Sequence, residues 1–303
     1  RPRPINHTLP VTDRFDPIFV LDSGLGGLTV VEALRRRLPD ERIIYFGDTA
    51  RLPYGSKTRQ TVGSFVKQII EWGLTFRPKH VVIACNTASA LALDETQRLF
   101  PDLAISGVIE PGAVAAAGAV ASLPTPCVGV IATEATIRSN AYQDALARHA
   151  PATEVLARAT PLLVPLIEEG RRPSDAVVNL ALRQYLRPML KRKINALVLG
   201  CTHYPLLRPA LRRALGEGVT VIDSAEQCAQ DVAARLAAAG RLATAGPAER
   251  SADERLKLFV TDDPDRFGTL APRFLGFPVG RPQRVAPETL YDSASRPSLR
   301  LRA

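Results

Sequence analysis

Short runs of consecutive apolar residues alternate along the chain with longer stretches in which apolar residues return at every third or fourth position. The short runs are Ile18–Leu21, Ile43–Phe46, His80–Ala84, Ile105–Val108, Cys127–Ala132, Ala196–Leu199, Val219–Ile222 and Leu256–Val260. They are nearly unbroken rather than alternating, the pattern of strands covered by helices on both faces. The periodic stretches Thr29–Leu38, Thr58–Phe76, Ala88–Phe100, Ala113–Ser122, Ile137–His149, Ala176–Lys191 and Ala225–Ala239 predict amphipathic helices. Strand and helix in alternation predict an α/β fold with mainly parallel sheets flanked by helices. Pro39 and Pro101 end helices, and Gly240 follows another.

Polar signatures stand where these strands end: Asp22-Ser23-Gly24, Gly47-Asp48-Thr49, Cys85-Asn86-Thr87 and Gly200-Cys201-Thr202-His203. In open parallel sheets the carboxyl ends of strands form the ligand crevice, so the four turns are natural partners in one site. A chain of 303 residues has room for two such units of about 100–150 residues, with a cleft between them. The runs VVIACNTAS and LVLGCTHYP each deliver a cysteine directly after a buried strand, an internal echo that suggests two related halves. Arg241–Asp253 reads as a surface connection, and the segments before Pro17 and after Gly280 as extensions around the fold.

Composition changes this picture little. A hydrophobic share of 46% with 23% charged residues is that of a globular protein and excludes fibrous or disordered classes. No uncharged apolar run approaches the roughly 20 residues that span a bilayer, and the first residues lack the apolar centre of a signal peptide. The expectation is a cytoplasmic protein with no membrane contact. The four cysteines, Cys85, Cys127, Cys201 and Cys228, lie far apart, which suits free thiols in a reducing compartment. The net charge of +9 invites a nucleic-acid partner, but Arg1–Asp16 and Arg281–Ala303 carry +1 and +3 of it, and the body is only mildly basic.

The Asp22–Gly27 turn, Asp-Ser-Gly-Leu-Gly-Gly, joins a strand to a helix, where free N–H groups attract an anion such as a carboxylate. Its glycines do not have the spacing of a dinucleotide fingerprint, and they also suit tight packing alone. Cys85 and Cys201 stand at strand ends, where a thiol is placed to react, although a buried cysteine is usually an inert hydrophobe. Cys127 and Cys228 have no polar companions and read as packing residues. Zinc could be held by Cys201, His203, Cys85 and Asp22, but the usual zinc spacings are absent. A cysteine hydrolase could use His203 as base, which leaves the second thiol unexplained. Pyridoxal phosphate needs a lysine, and none sits in these turns. Inversion at a stereocentre does need two groups, a base on one face and an acid on the other. Two thiols held as thiolate and thiol would serve, with Asp22 and His203 poising the protons.

The motifs LDSGLGGLTV, YFGDTARLPYG, ACNTAS, IEPG, LVPLIEEG, LGCTHYPLL and IDSAEQ, in this order from about Ile18 to Gly280, resemble those of the glutamate racemases, a cofactor-independent family. Aspartate and other amino-acid racemases are the nearest relatives to be told apart. The resemblance implies interconversion of L- and D-glutamate without metal or other cofactor, supplying D-glutamate for peptidoglycan. It implies that Cys85 takes the α-proton of D-glutamate and Cys201 that of L-glutamate, with Asp22 beside the first and His203 beside the second, and with Asp48 and Glu168 assisting. It implies substrate contacts from Asp22, Ser23, Pro53, Tyr54, Gly55, Cys85, Asn86, Thr87, Thr133, Thr136, Cys201, Thr202 and His203. The family fold implies a first domain of residues 18–112 plus 223–280, a second of 113–222, and extensions at 1–17 and 281–303. It allows a homodimer, and some members restrain gyrase, a partner that the basic tails would suit. Thr160 departs from the pattern, where a cysteine is expected.

Overall fold

Two sheets, each wholly parallel, carry the chain in the computed structural model, which describes residues 13–244 and 255–291. The strands are β1 (Ile18–Asp22), β2 (Ile43–Gly47), β3 (His80–Ile83), β4 (Ile105–Gly107), β5 (Cys127–Ala132), β6 (Glu154–Ala159), β7 (Ala196–Gly200), β8 (Thr220–Asp223), β9 (Leu256–Val260) and β10 (Gln283–Arg284). The first sheet runs β10-β9-β2-β1-β3-β4 and the second β6-β5-β7-β8. The helices are α1 (Leu28–Arg37), α2 (Arg59–Gly73), α3 (Asn86–Leu99), α4 (Ile109–Val120), α5 (Glu134–Arg138), α6 (Ala141–His149), α7 (Leu163–Glu168) and α8 (Ala176–Lys191). After them come α9 (Arg208–Leu215), α10 (Ser224–Ala238), α11 (Pro264–Leu270), α12 (Pro272–Leu275) and α13 (Glu288–Tyr291).

Strand order places the crevices. From β1 the chain moves outward to β2, whereas from β3 it moves the other way to β4, so the order reverses between β1 and β3. From β5 it moves to β6 and from β7 oppositely to β8, so the second sheet reverses between β5 and β7. Ligands of open parallel sheets bind just beyond the strand ends at such a reversal. Register brings Asp22 level with Gly47 and Leu21 with Ile83, and Ala132 level with both Ala159 and Gly200. Cys85 and Cys201 therefore leave corresponding strands at corresponding places. The short echo between their two runs has a counterpart in topology.

Apolar faces hold the sheets. Phe19, Leu21, Ile44 and Phe46 pack under Val62, Val66, Ile69 and Ile70 of α2, with Trp72 against Phe46 and Phe259 at ring distances of 4.9 and 5.0 Å. Burying one such side chain stabilises by about 1.5–3 kcal/mol. On the other face Ile18 and Val20 join α1 and α10 in a core that continues into Ile131, Leu197 and Leu199 of the second sheet, covered by α8 and α9. Val128, Val130, Ala196 and Val198 pack separately with α4 and α6. The two sheets are thus joined through one core on one side, while their strand ends line a common cleft.

The expected strands are present with small changes at their ends. Strand β6 and helix α9 were not expected: Glu154 and Arg158 break the apolar run of an outer, incompletely covered strand, and α9 is rich in arginine and buries only Ala210, Leu211 and Leu215. The stretch Ile137–His149 divides because Asn140 adopts a left-handed φ of 58° between α5 and α6. The expected boundary after Gly112 falls inside α4, and that before Asp223 at the last residue of β8. Beyond Gly280, Gln283–Arg284 pairs with β9 and Leu290 is buried. Residues 1–12, 245–254 and 292–303, which include most of both tails and of the expected surface connection, lie outside the described residues. Among the described residues no helix is long and apolar enough to cross a membrane.

Candidate active site

The strand ends enclose a cleft of about 560 Å3. Ser23, Pro53, Tyr54, Gly55, Cys85, Asn86 and Thr87 line it from the first sheet's side, and Thr133, Glu168, Cys201, Thr202 and His203 from the second's. The two thiols sought in the sequence open on one space. All four cysteines are free and buried. Cys127, by contrast, stands at the opposite end of β5, and Cys228 lies within α10 in the shared core.

On the second side the polar groups form a chain. The Cys201 sulfur lies 3.8 Å from His203 Nδ1, and His203 Nε2 lies 3.0 Å from Glu168 Oε1. Burial works against charge on this imidazole, but its bonds to Cys201 and Glu168 outweigh burial and raise its pKa to about 10. Burial likewise raises Glu168, yet the bond from His203 prevails and holds that carboxyl below its ordinary range. An imidazolium at a sulfur is the setting that stabilises a thiolate.

The first side is the reverse. The Cys85 sulfur caps α3, accepting the Ala88 N–H at 3.5 Å. Burial, and after it the negative charge of Asp22, push this thiol up to about 12 against weaker pulls from the Ala88 N–H and Ser23. Asp22 is buried behind Ser23 and does not line the cleft; its Oδ2 accepts the Gly24 N–H at 2.9 Å, and its Oδ1 has no hydrogen-bond partner. Burial raises the Asp22 pKa, opposed by the Gly24 N–H, the charge of His203 and the N–H groups of Gly27 and Ser23. Within this turn the Gly24 N–H is taken by the turn's own Asp22. The glycines serve close approach, since a Cβ on Gly27 would stand 2.5 Å from the Asp22 Cβ.

Asp48, expected to assist, and Thr136, expected to contact substrate, do not line the cleft either. Asp48 Oδ2 accepts from Arg51 Nε at 2.7 Å and from the Tyr54 hydroxyl, and Oδ1 accepts from Thr261 Oγ1 at 3.1 Å. It fixes Tyr54, which does reach the cleft. The Thr136 hydroxyl sits 3.0 Å from that of Thr133 and 3.3 Å from that of Thr87, tying the two sides together. Asn86 accepts the Tyr142 hydroxyl through Oδ1 at 2.7 Å, another link across. Asp48→Ala removes one member of a buried ion pair and leaves the Tyr54 and Thr261 hydroxyl hydrogens without their acceptor, so it is expected to destabilise the fold by about 3–5 kcal/mol in denaturant unfolding.

Several lining residues were not among those expected at the site. Arg266 comes from α11, far along the chain, and its positive charge acts on Glu168. Thr160, noticed only as a departure, lines the cleft with its hydroxyl 2.6 Å from that of Tyr204. Val164 and Pro165 add an apolar wall. Among the described residues no lysine lines the cleft, and no three His, Cys, Asp or Glu side chains are grouped as a metal ion requires.

The profile of the Asp/Glu/Hydantoin racemase family matches residues 28–232. The glutamate racemase of Syntrophus aciditrophicus (strain SB) is 46% identical over 269 residues, which are 89% of this chain and 96% of that relative. The crystal structure of glutamate racemase from Francisella tularensis in complex with D-glutamate is similar with a TM-score of 0.81 at 36% identity, covering 90% of this chain and 98% of that one. That of the Thermus thermophilus glutamate racemase in complex with beta-chloro-D-alanine gives 0.78 at 43% identity, covering 92% and 100%. Likeness of this extent, in sequence and in fold together, reaches past the shared α/β architecture, and the chain belongs to the Asp/Glu/Hydantoin racemase family as one of its glutamate racemases, amino-acid isomerases.

Proposed function

We propose that the chain interconverts L- and D-glutamate by moving a proton between two thiols, Cys85 and Cys201, each supplied by one of its two α/β units. The observation that carries this reading is the opening of both thiols on one cleft from matching strand ends. One sulfur, as thiolate, takes the α-proton and becomes a thiol, leaving the α-carbon planar. The other thiol then gives its proton to the opposite face and becomes the thiolate. Each turnover exchanges the two roles.

The cleft is not symmetric. Cys201 faces an imidazolium, whereas Cys85 is held in its protonated form by burial and by Asp22. This state is prepared for Cys201 to receive the proton of L-glutamate and for Cys85 to deliver its own. A substrate ammonium group entering beside Cys85 brings a positive charge that favours the ionised forms of Cys85 and of Asp22 behind it, so deprotonation of Cys85 is coupled to binding. Ser23, Asn86, Thr87, Thr133 and Thr202 supply hydrogen-bonding groups for two carboxylates. Asp22 and His203 flank the two thiols as proton-poising groups. Asp48 acts from behind by positioning Tyr54. In this reading the product serves peptidoglycan synthesis.

Purified protein given L-glutamate in heavy water is expected to abolish the optical rotation while placing deuterium at the α-carbon of the product. Glutamate that keeps both its rotation and its α-hydrogen overturns the reading. Aspartate run in parallel distinguishes the neighbouring substrate, and equal turnover of the two acids would point away from glutamate specificity.

A further inference from the structure

The first unit reaches across to the second unit's cysteine through the segment that returns after β9. Phe274 of α12 is buried and meets the His203 ring at 5.5 Å with the two planes at 90°. Arg273, beside it, donates from Nη1 to the Ile167 carbonyl at 2.9 Å. That carbonyl belongs to the residue before Glu168, in a helix of only 6 residues without a side-chain cap. So short a helix is marginal by itself, and its last carbonyls need partners from outside.

Both His203 nitrogens are engaged, Nδ1 with Cys201 and Nε2 with Glu168. Turning the ring over would lose both bonds, and Phe274, packed against it at a right angle, crowds that turn. Arg273 fixes the stretch of chain from which Glu168 projects. We infer that Phe274 and Arg273 are positioning residues for racemisation, which hold the His203–Glu168 pair on Cys201 from the opposite unit. This rests on the reading of Cys201 as one of the two bases. Completion of one unit's cysteine by the other unit makes the assembled cleft, rather than either sheet alone, the competent site.

The test follows alkylation of Cys201 by iodoacetamide across pH in the full chain, by peptide mass spectrometry, with Cys85 in the same samples. The titratable and charged groups around the pair are Glu168, Asp22, Cys85, Tyr142, Tyr204 and Arg266, none of which is substituted; Arg273→Met also removes a charge beside Ile167, which Phe274→Leu and Arg273→Lys do not. In Phe274→Leu and in Arg273→Met alkylation of Cys201 at neutral pH, measured against Cys85 in the same sample, is expected to slow about tenfold. Turnover falls through kcat with KM little changed, and Arg273→Lys, which keeps a donor, recovers most of both. Should Phe274→Leu fail to fold, Arg273→Met decides, because Arg273 is exposed and outside the core. A Cys201 profile equal to the parent's in the folded variants overturns the inference, even where turnover falls. If labelling Cys201 in the parent leaves racemisation intact, the two-thiol reading itself fails; if the parent behaves and the variants do not shift, only the positioning role fails.

Discussion

Alanine at either Cys85 or Cys201 is expected to lower racemisation by at least about 10^3-fold, because in the proposed two-thiol scheme each substitution removes the sole proton carrier on one face of the α-carbon. The loss must be the same in both directions. L- and D-glutamate are mirror images, their equilibrium constant is unity, and kcat/KM for the two directions cannot separate. Assignment of faces therefore needs a reaction that uses one base only. Elimination from a β-substituted glutamate requires α-proton removal without reprotonation, so a Cys→Ser change at one position is expected to leave elimination from one enantiomer while stopping inversion. Cys127→Ala and Cys228→Ala serve as comparisons. Cys127 lies at the far end of β5 and Cys228 within α10, and both variants should keep most activity, although Cys228→Ala empties space in the core. Optical rotation with each variant measures the outcome, with circular dichroism to establish folding. Retained inversion in Cys85→Ala or Cys201→Ala would remove the two-thiol scheme.

Much of the scaffold that places these thiols could be read from the sequence. Strands buried on both faces write themselves as unbroken apolar runs, and β1, β3, β5 and β7 are of this kind. The cysteine turns were legible because they follow such strands directly. Strand β6 was not, since an outer strand tolerates Glu154 and Arg158. Contacts between distant segments were least legible: nothing local in Arg266, Arg273 or Phe274 announces that α11 and α12 return to the histidine of another unit. Asp48 shows a different limit. Its motif marked it as part of the site, but only the side-chain geometry separates a group at the cleft from one that holds Tyr54 from behind.

Gly26→Ala is expected to cost activity on a scale approaching that of the cysteine changes, for a steric reason rather than a conformational one. A Cβ at this position would stand 2.1 Å from Thr202 Oγ1, 2.5 Å from His203 Nδ1 and 2.7 Å from His203 Cε1. These atoms belong to the opposite unit, whose Thr202 carbonyl is already bound by Thr29 Oγ1 of α1 at 3.0 Å. The added methyl cannot be accommodated by a rotamer change of Thr202 alone, because the imidazole is crowded at the same point. His203 must withdraw, and Nδ1 is the atom that faces Cys201. A displacement of about 1 Å in such a group can cost roughly 10^2-fold in rate, while overpacking of this kind costs about 1–3 kcal/mol in stability. The expected variant is therefore folded, measurably less stable and severely slowed. Gly118→Ala provides the contrast: it lies within α4 with nothing within 4 Å of the added Cβ, so it should gain about 0.5–1 kcal/mol in helix stability and racemise normally. Thermal unfolding and initial rates on the two variants decide the matter. Parent-like turnover in Gly26→Ala would mean that the close contact between the units is dispensable to the Cys201 side of the reaction.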